Sequence, residues 1–224
     1  MIERRSRPTL VFDLDGTLVD TAPDLMRAAN YALEKAGLRP ISPQVLRPAM
    51  SHGARRMIEN GLHAQGSAFD AALIDRLTQD LLVFYTHNIA VESRLYDGVA
   101  DTLTALKAKG ASLAVCTNKM ERLSRLLLGA LGIDTLFDCI CGRDTFPVCK
   151  PHPDHLLNTI SACGGAPERS ILIGDSEIDI ATAHAAGVPV IAVSYGYSDV
   201  PLASFAPSCV IDRFDALPAM TLLP

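Results

Sequence analysis

The sequence predicts an α/β fold: a Rossmann-like parallel sheet with helices on both faces, plus an inserted helical cap domain. Two observations carry that expectation. From about residue 95 onward, short apolar runs alternate with amphipathic helical stretches, the pattern of a parallel sheet covered on both sides. Between residue 21 and about residue 90 only helical periodicity is present, although an apolar run at 9–12 precedes it. That first run has no strand partner in the helical stretch, so it belongs to the later sheet, and the helices are an insertion after strand one. The expected division is a core of residues 1–19 and 92–224 and a cap of residues 20–91. Short connections at 19–21 and 89–95 would act as its hinges.

The elements are justified in turn. Residues 9–12 read as a short buried strand ended by Asp13 and Gly16. A helix over 21–36 places Leu25, Met26, Ala29 and Leu33 on one face and stops at Gly37. A second helical segment, 42–62, is interrupted by Pro48 and by Ser51-His52-Gly53. A third, 68–87, carries Leu73, Leu77, Leu81 and Phe84 at helical spacing. Strands then follow at 112–117, 139–141, 170–174, 190–193 and 209–211, with helices at 99–109, 121–131, 153–163 and 179–186.

Composition narrows the classes. The 224 residues are 49% hydrophobic and 20% charged, enough for a sizeable core. No apolar run approaches the roughly 18 residues that a membrane span needs. The basic N-terminal stretch, residues 1–7, reads as a solvated arm, because neither a secretory nor a twin-arginine export signal lacks a longer apolar region. Net charge is −5 and no basic cluster with interleaved aromatics occurs, so a nucleic-acid partner is not expected. The six cysteines, Cys116, Cys139, Cys141, Cys149, Cys163 and Cys209, form no CxxC pair. They read as reduced thiols of a cytoplasmic protein rather than a metal site or a disulfide framework.

Four pieces of a site fall at the C-terminal ends of predicted strands, where open α/β sheets bind ligands. The first is Asp13-Leu14-Asp15-Gly16-Thr17, whose two carboxylates exceed what an Asp-Gly turn requires. One carboxylate can attack phosphorus, and the other can serve a leaving oxygen and then a water. The second is Thr117-Asn118-Lys119, where a hydroxyl and backbone N–H groups suit a phosphate oxygen. The third is Lys150-Pro151 with Pro153, a lysine on a stiff loop before a helix. The fourth is Gly174-Asp175-Ser176-Glu177-Ile178-Asp179, where two carboxylates one turn apart can hold a hard cation such as Mg2+. Helix capping by Asp175 or Ser176 is compatible with that role.

This arrangement resembles the haloacid dehalogenase-like superfamily of phosphohydrolases over nearly the whole chain. The resemblance implies a nucleophile at Asp13, a general acid/base at Asp15, the motif threonine and lysine at Thr117 and Lys150, and metal-binding aspartates at Asp175 and Asp179. Asp13 and Asp15 join those two in the expected metal set. Within the superfamily, the run from Asp13 to Leu25, the Thr117-Asn118-Lys119 strand end, Lys150-Pro151-His152-Pro153-Asp154 and Tyr195-Gly196-Tyr197-Ser198 look like phosphoglycolate phosphatases. The segment 51–55 lies where related enzymes carry a Gly-containing substrate loop, with Ser51 where a second glycine is usual.

The expected reaction is Mg2+-dependent hydrolysis of a small phosphate monoester, with 2-phosphoglycolate the first candidate, through an aspartyl-phosphate. His52, Gly53 and Arg55 would read a substrate carboxylate, since Arg binds one bidentately. Asn118 joins Thr117 in the phosphate site. A sugar-phosphate mutase, another small-metabolite phosphatase or a pyrophosphatase shares the same aspartates and stays open. A dehalogenase would lack Asp15, a phosphonate hydrolase would need a placed cap lysine where only Lys35 is available, and a binding module would need neither aspartate. The expected partner is a small phosphorylated metabolite, with no membrane or nucleic acid, acting on a monomer or small homo-oligomer.

Overall fold

The computed structural model describes residues 7–66 and 69–217; residues 1–6 of the expected arm and the expected helix start at 68 lie outside them. The first apolar run forms β1 (Thr9–Phe12), buried along its whole length. After β2 (Val19–Asp20) come α1 (Ala22–Lys35), α2 (Pro43–Leu46), a 3₁₀ turn over Arg47–His52, α3 (Ala54–His63) and α4 (Ala71–His87). The chain returns through β3 (Arg94–Leu95). It then alternates through α5 (Val99–Ala108), β4 (Ser112–Cys116), α6 (Glu121–Ala130), β5 (Cys139–Cys141), α7 (Pro153–Ala162), β6 (Ser170–Gly174), α8 (Glu177–Ala186), β7 (Val190–Val193) and β8 (Cys209–Ile211).

Six strands form one parallel sheet in the order β5-β4-β1-β6-β7-β8. β1 is central: Phe12 lies opposite Val115 on one side and Ile173 on the other. The chain fills the β4–β5 side first and then crosses to β6, so the order reverses beside β1. A crevice opens at such a switch point, outside the carboxyl ends of the strands. Alternate residues of each strand serve opposite faces. Leu10, Phe12, Leu113, Val115, Ile171 and Ile173 meet Leu103, Leu127 and Leu128 from α5 and α6. Val11, Ala114, Leu172 and Ala192 meet Leu156, Ile160, Ile180 and Ala183 from α7 and α8. Burial on both faces is why these strands read as continuous apolar runs.

The helical block has its own core of Leu25, Ala29, Leu33, Leu46, Met57, Ile58, Leu62, Leu77 and Leu81. Two chain crossings tie it to the sheet. They run side by side, because β2 and β3 pair antiparallel, Val19 with Leu95 and Asp20 with Arg94. Asp24, buried at the start of α1, accepts from Glu92 N, Ser93 N and Ser93 Oγ at 2.8–2.9 Å. This ribbon is too short to leave a period-2 signal in the sequence. No helix of the described residues is long and apolar enough to cross a membrane.

The cysteines need a correction. Cys116 and Cys141 are buried free thiols, as expected. Cys139 and Cys163 instead form a disulfide. α7 packs along β4 and β5 and ends beside the start of β5, so the two Cα atoms lie 5.9 Å apart, within bridging reach. A pair 24 residues apart carries no local spacing signal.

Leu77 is fully buried inside the helical block. Leu77→Ala should lower unfolding free energy by about 2–5 kcal/mol in urea titrations, as large-to-small core changes do. A loss below about 1 kcal/mol would mean that the block closes around the missing side chain.

Candidate active site

Three carboxylates converge at the sheet tips. Asp13 follows β1, with its backbone N–H donating to Ile173 O at 2.9 Å. Asp175 follows β6, and Asp179 sits in the first turn of α8. All three are buried, and each offers an oxygen within 4.8 Å of the others. Among the described residues this is the one such cluster of potential metal ligands.

Each carboxylate is held by specific donors. Asp175 accepts from Thr17 Oγ1 at 2.9 Å and from Tyr197 N at 2.8 Å. Its side chain passes between Gly16 and Gly196, and a Cβ at either glycine would overlap it. Gly16 also has φ of +88°, which a side chain disfavours. Asp179 Oδ2 accepts from Ser176 Oγ at 2.6 Å and Ser176 N at 3.2 Å, completing a capping box that begins α8 at Glu177, two residues earlier than the apolar pattern suggests. Its other oxygen takes Lys150 Nζ at 2.6 Å, and the same ammonium lies 2.9 Å from Asp13 Oδ1.

Lys150 is held in turn. Its backbone N–H donates to His155 Nδ1 at 3.1 Å, and Asn118 Nδ2 donates to its carbonyl at 3.1 Å. His155 Nε2 donates to Gly142 O at 3.1 Å, which fixes a neutral tautomer. Burial, aided by the Lys150 charge, pushes this imidazole down to about 4.

The electrostatics call for a cation. Burial, with like charge from Asp179 and Asp15, pushes Asp13 up to about 6 even against Lys150. Burial and the neighbouring carboxylates Asp13 and Asp179 raise Asp175 well above the usual range. One ammonium, paired with Asp13 and Asp179, stands against three buried carboxylates, and hard oxygen donors at this spacing fit a divalent cation.

The other expected residues divide. Thr117 is buried at the end of β4, its hydroxyl accepting from Lys119 N at 3.2 Å. Asp15 does not join the carboxylate cluster: Lys119 Nζ contacts its two oxygens at 2.9 and 3.1 Å, and Thr21 Oγ1 donates at 2.7 Å. A cavity of about 250 Å³ lies between the sheet tips and the helical block. Asp13, Asp15, Thr117, Asn118, Lys150, Gly53 and Arg55 all line it. His52 is exposed and does not. Arg55 is already paired, with Glu59 at 3.2 Å and with Asp75.

The sequence alone gives no separate role to Lys119, Tyr85, Arg143 or Tyr197. The Tyr197 hydroxyl accepts from Thr21 N at 2.6 Å and Ala22 N at 2.9 Å and donates to Asp20 at 2.9 Å. Lys119 was visible beside Thr117 and Asn118, whereas its partners come from distant segments.

Comparison with known proteins gives a consistent result. A family profile described as haloacid dehalogenase-like hydrolase matches residues 10–193. A phosphoglycolate phosphatase of Mesorhizobium japonicum is 47% identical over 95% of this chain and 93% of its own length. One from Agrobacterium fabrum is 43% identical over 97% and 93%. A crystal structure from Haemophilus somnus, described as a predicted phosphoglycolate phosphatase, superposes with a TM-score of 0.90 at 33% identity, covering 96% of this chain and 98% of its own.

The raised carboxylates make a pH test. A carboxyl group raised in the folded state contributes stability at low pH that is lost as pH rises through about 6, the value for Asp13. A cation binding the ionised cluster should therefore raise the melting temperature of metal-free protein at pH 8 and much less at pH 5. Thermal melts with and without excess magnesium check this; equal shifts at both pH values would mean that the cation binds elsewhere.

Proposed function

The chain belongs to the haloacid dehalogenase-like hydrolases, and from that premise we propose that it is a magnesium-dependent phosphatase hydrolysing 2-phosphoglycolate through an aspartyl-phosphate on Asp13. One observation carries the chemistry: Asp13 stands buried beside Lys150, 2.9 Å away, within reach of two further carboxylates and open to the cavity. The names of the relatives at 47% and 43% identity support the substrate. Residues 20–91 act as the cap over that cavity. A cytoplasmic setting, with no membrane or nucleic-acid partner, fits a small phosphorylated metabolite; in that reducing setting Cys139 and Cys163 would be held as thiols.

In this reading an Asp13 oxygen attacks phosphorus and the bond to the ester oxygen breaks. Asp15 gives a proton to the leaving oxygen. In the second half Asp15 takes a proton from water as that water's oxygen attacks phosphorus, which releases phosphate and restores Asp13. Lys150 and Thr117 offset charge on the transferring group. Asp13, Asp175 and Asp179 would hold Mg2+, which when bound neutralises phosphate charge near the nucleophile. Asn118 and His155 keep the Lys150 backbone in place. The apolar cavity wall from Leu81, Leu82 and Leu123 limits water around the reacting group.

Asp13→Asn keeps the shape but removes the nucleophile. Phosphate release from 2-phosphoglycolate with magnesium should fall by at least about 10³-fold while thermal melts show a retained fold. Activity within about tenfold of wild type would reject Asp13 as the nucleophile.

A further inference from the structure

Lys119 stands inside the cavity, its side chain 6% exposed, gripping both oxygens of the Asp15 carboxylate. The buried Tyr85 of α4 lies against it, with Lys119 Nζ 4.5 Å from the ring centroid. The Tyr85 hydroxyl is fully buried beside the Lys119 ammonium, the one polar group it faces, and its O–H meets no acceptor among the described residues. An ammonium can only donate to that hydroxyl, so its O–H is left without an acceptor, a place where a ligand carboxylate oxygen would be welcome. Arg55, by contrast, is committed to Glu59 and Asp75, and His52 lies off the cavity.

We propose that Lys119, with the Tyr85 hydroxyl beside it, is the reader of the substrate carboxylate, and that the substrate takes the place Asp15 holds on this lysine. The assignment rests on the phosphoglycolate reading above. Three features support it. The lysine already binds one carboxylate through two contacts, so a second carboxylate is the same ligand by chemistry. In a 2-phospho acid the carboxylate is one carbon away from the ester oxygen that Asp15 serves, so Asp15 and Lys119 address neighbouring substrate atoms. The surrounding wall of Leu81, Leu82, Met120 and Leu123 is apolar, which strengthens a charge pair formed within it.

The exchange links recognition to chemistry. While Lys119 holds both oxygens of Asp15, neither points freely at an ester oxygen. A substrate anion on Lys119 releases them, and the freed carboxyl then carries the proton that passes to the leaving oxygen. An ester without that anion leaves the Asp15–Lys119 pair intact and so meets an unprepared site. Specificity is thus a contest between two carboxylates for one ammonium, decided where α4 of the helical block meets the sheet.

The test compares kcat/KM for 2-phosphoglycolate and for 2-hydroxyethyl phosphate, its neutral counterpart, in the full chain with magnesium. Wild type should prefer phosphoglycolate by at least about 100-fold. Lys119→Met should shrink that ratio at least about tenfold, chiefly through KM for phosphoglycolate, and Lys119→Arg should restore part of it. Tyr85→Phe should lower the ratio several-fold. Lys119→Gln, neutral but of similar length, gives the same comparison if the Met variant does not fold. An undiminished ratio in folded Lys119 variants, or an equal loss on both esters, overturns the assignment while the phosphoglycolate reading stands. No preference in wild type overturns both.

Discussion

The ammonium of Lys150 lies between the carboxylates of Asp13 and Asp179 with almost no water around any of the three. Charges buried this deeply are tolerable only when paired and hydrogen-bonded. Much of the surrounding structure can be traced to that demand. Ser176 saturates the far side of Asp179, and in doing so starts α8. Asn118 and His155 clamp the backbone that carries the lysine. Thr17 and Tyr197 occupy both oxygens of Asp175. The cluster still carries more negative than positive charge, so a cation completes a balance that the protein alone leaves unfinished.

The parts legible in the sequence are those set by local rules. A strand buried on both faces must be apolar, so β4, β6 and β7 announce themselves almost to the residue. Asp13, Asp175 and Asp179 stand at fixed offsets from strand ends, which makes their convergence readable once the sheet is inferred. What stayed hidden depends on meetings between distant segments. Lys119 and Asp15 are 104 positions apart, and Tyr85 reaches them from the insertion. Arg55 looked free because Asp75, which pairs with it, lies on the next helix. Cys139 and Cys163 meet only after α7 has packed.

The helical block and the catalytic end of the sheet are joined by more than the two covalent crossings. The Tyr197 hydroxyl receives the first amides of α1, while its own backbone amide binds Asp175. Thr21, beside that hydroxyl, also donates to Asp15. A displacement of α1 is therefore felt at the carboxylates through one tyrosine and one threonine. On the opposite crossing, Asp24 performs the mechanical counterpart by holding Glu92 and Ser93 to the same helix. Movement of the block and disposition of Asp15 share these contacts.

The passage of Asp175 between Gly16 and Gly196 has a consequence for reading degenerate copies of such chains. Loss of activity in a duplicated gene is usually sought among the acidic residues themselves. Here a methyl group at either glycine fills the space that the carboxylate needs, so a copy could retain every aspartate and the lysine yet be a pseudoenzyme. In a survey of paralogues, these two positions separate working catalysts from inert look-alikes where the charged residues alone do not.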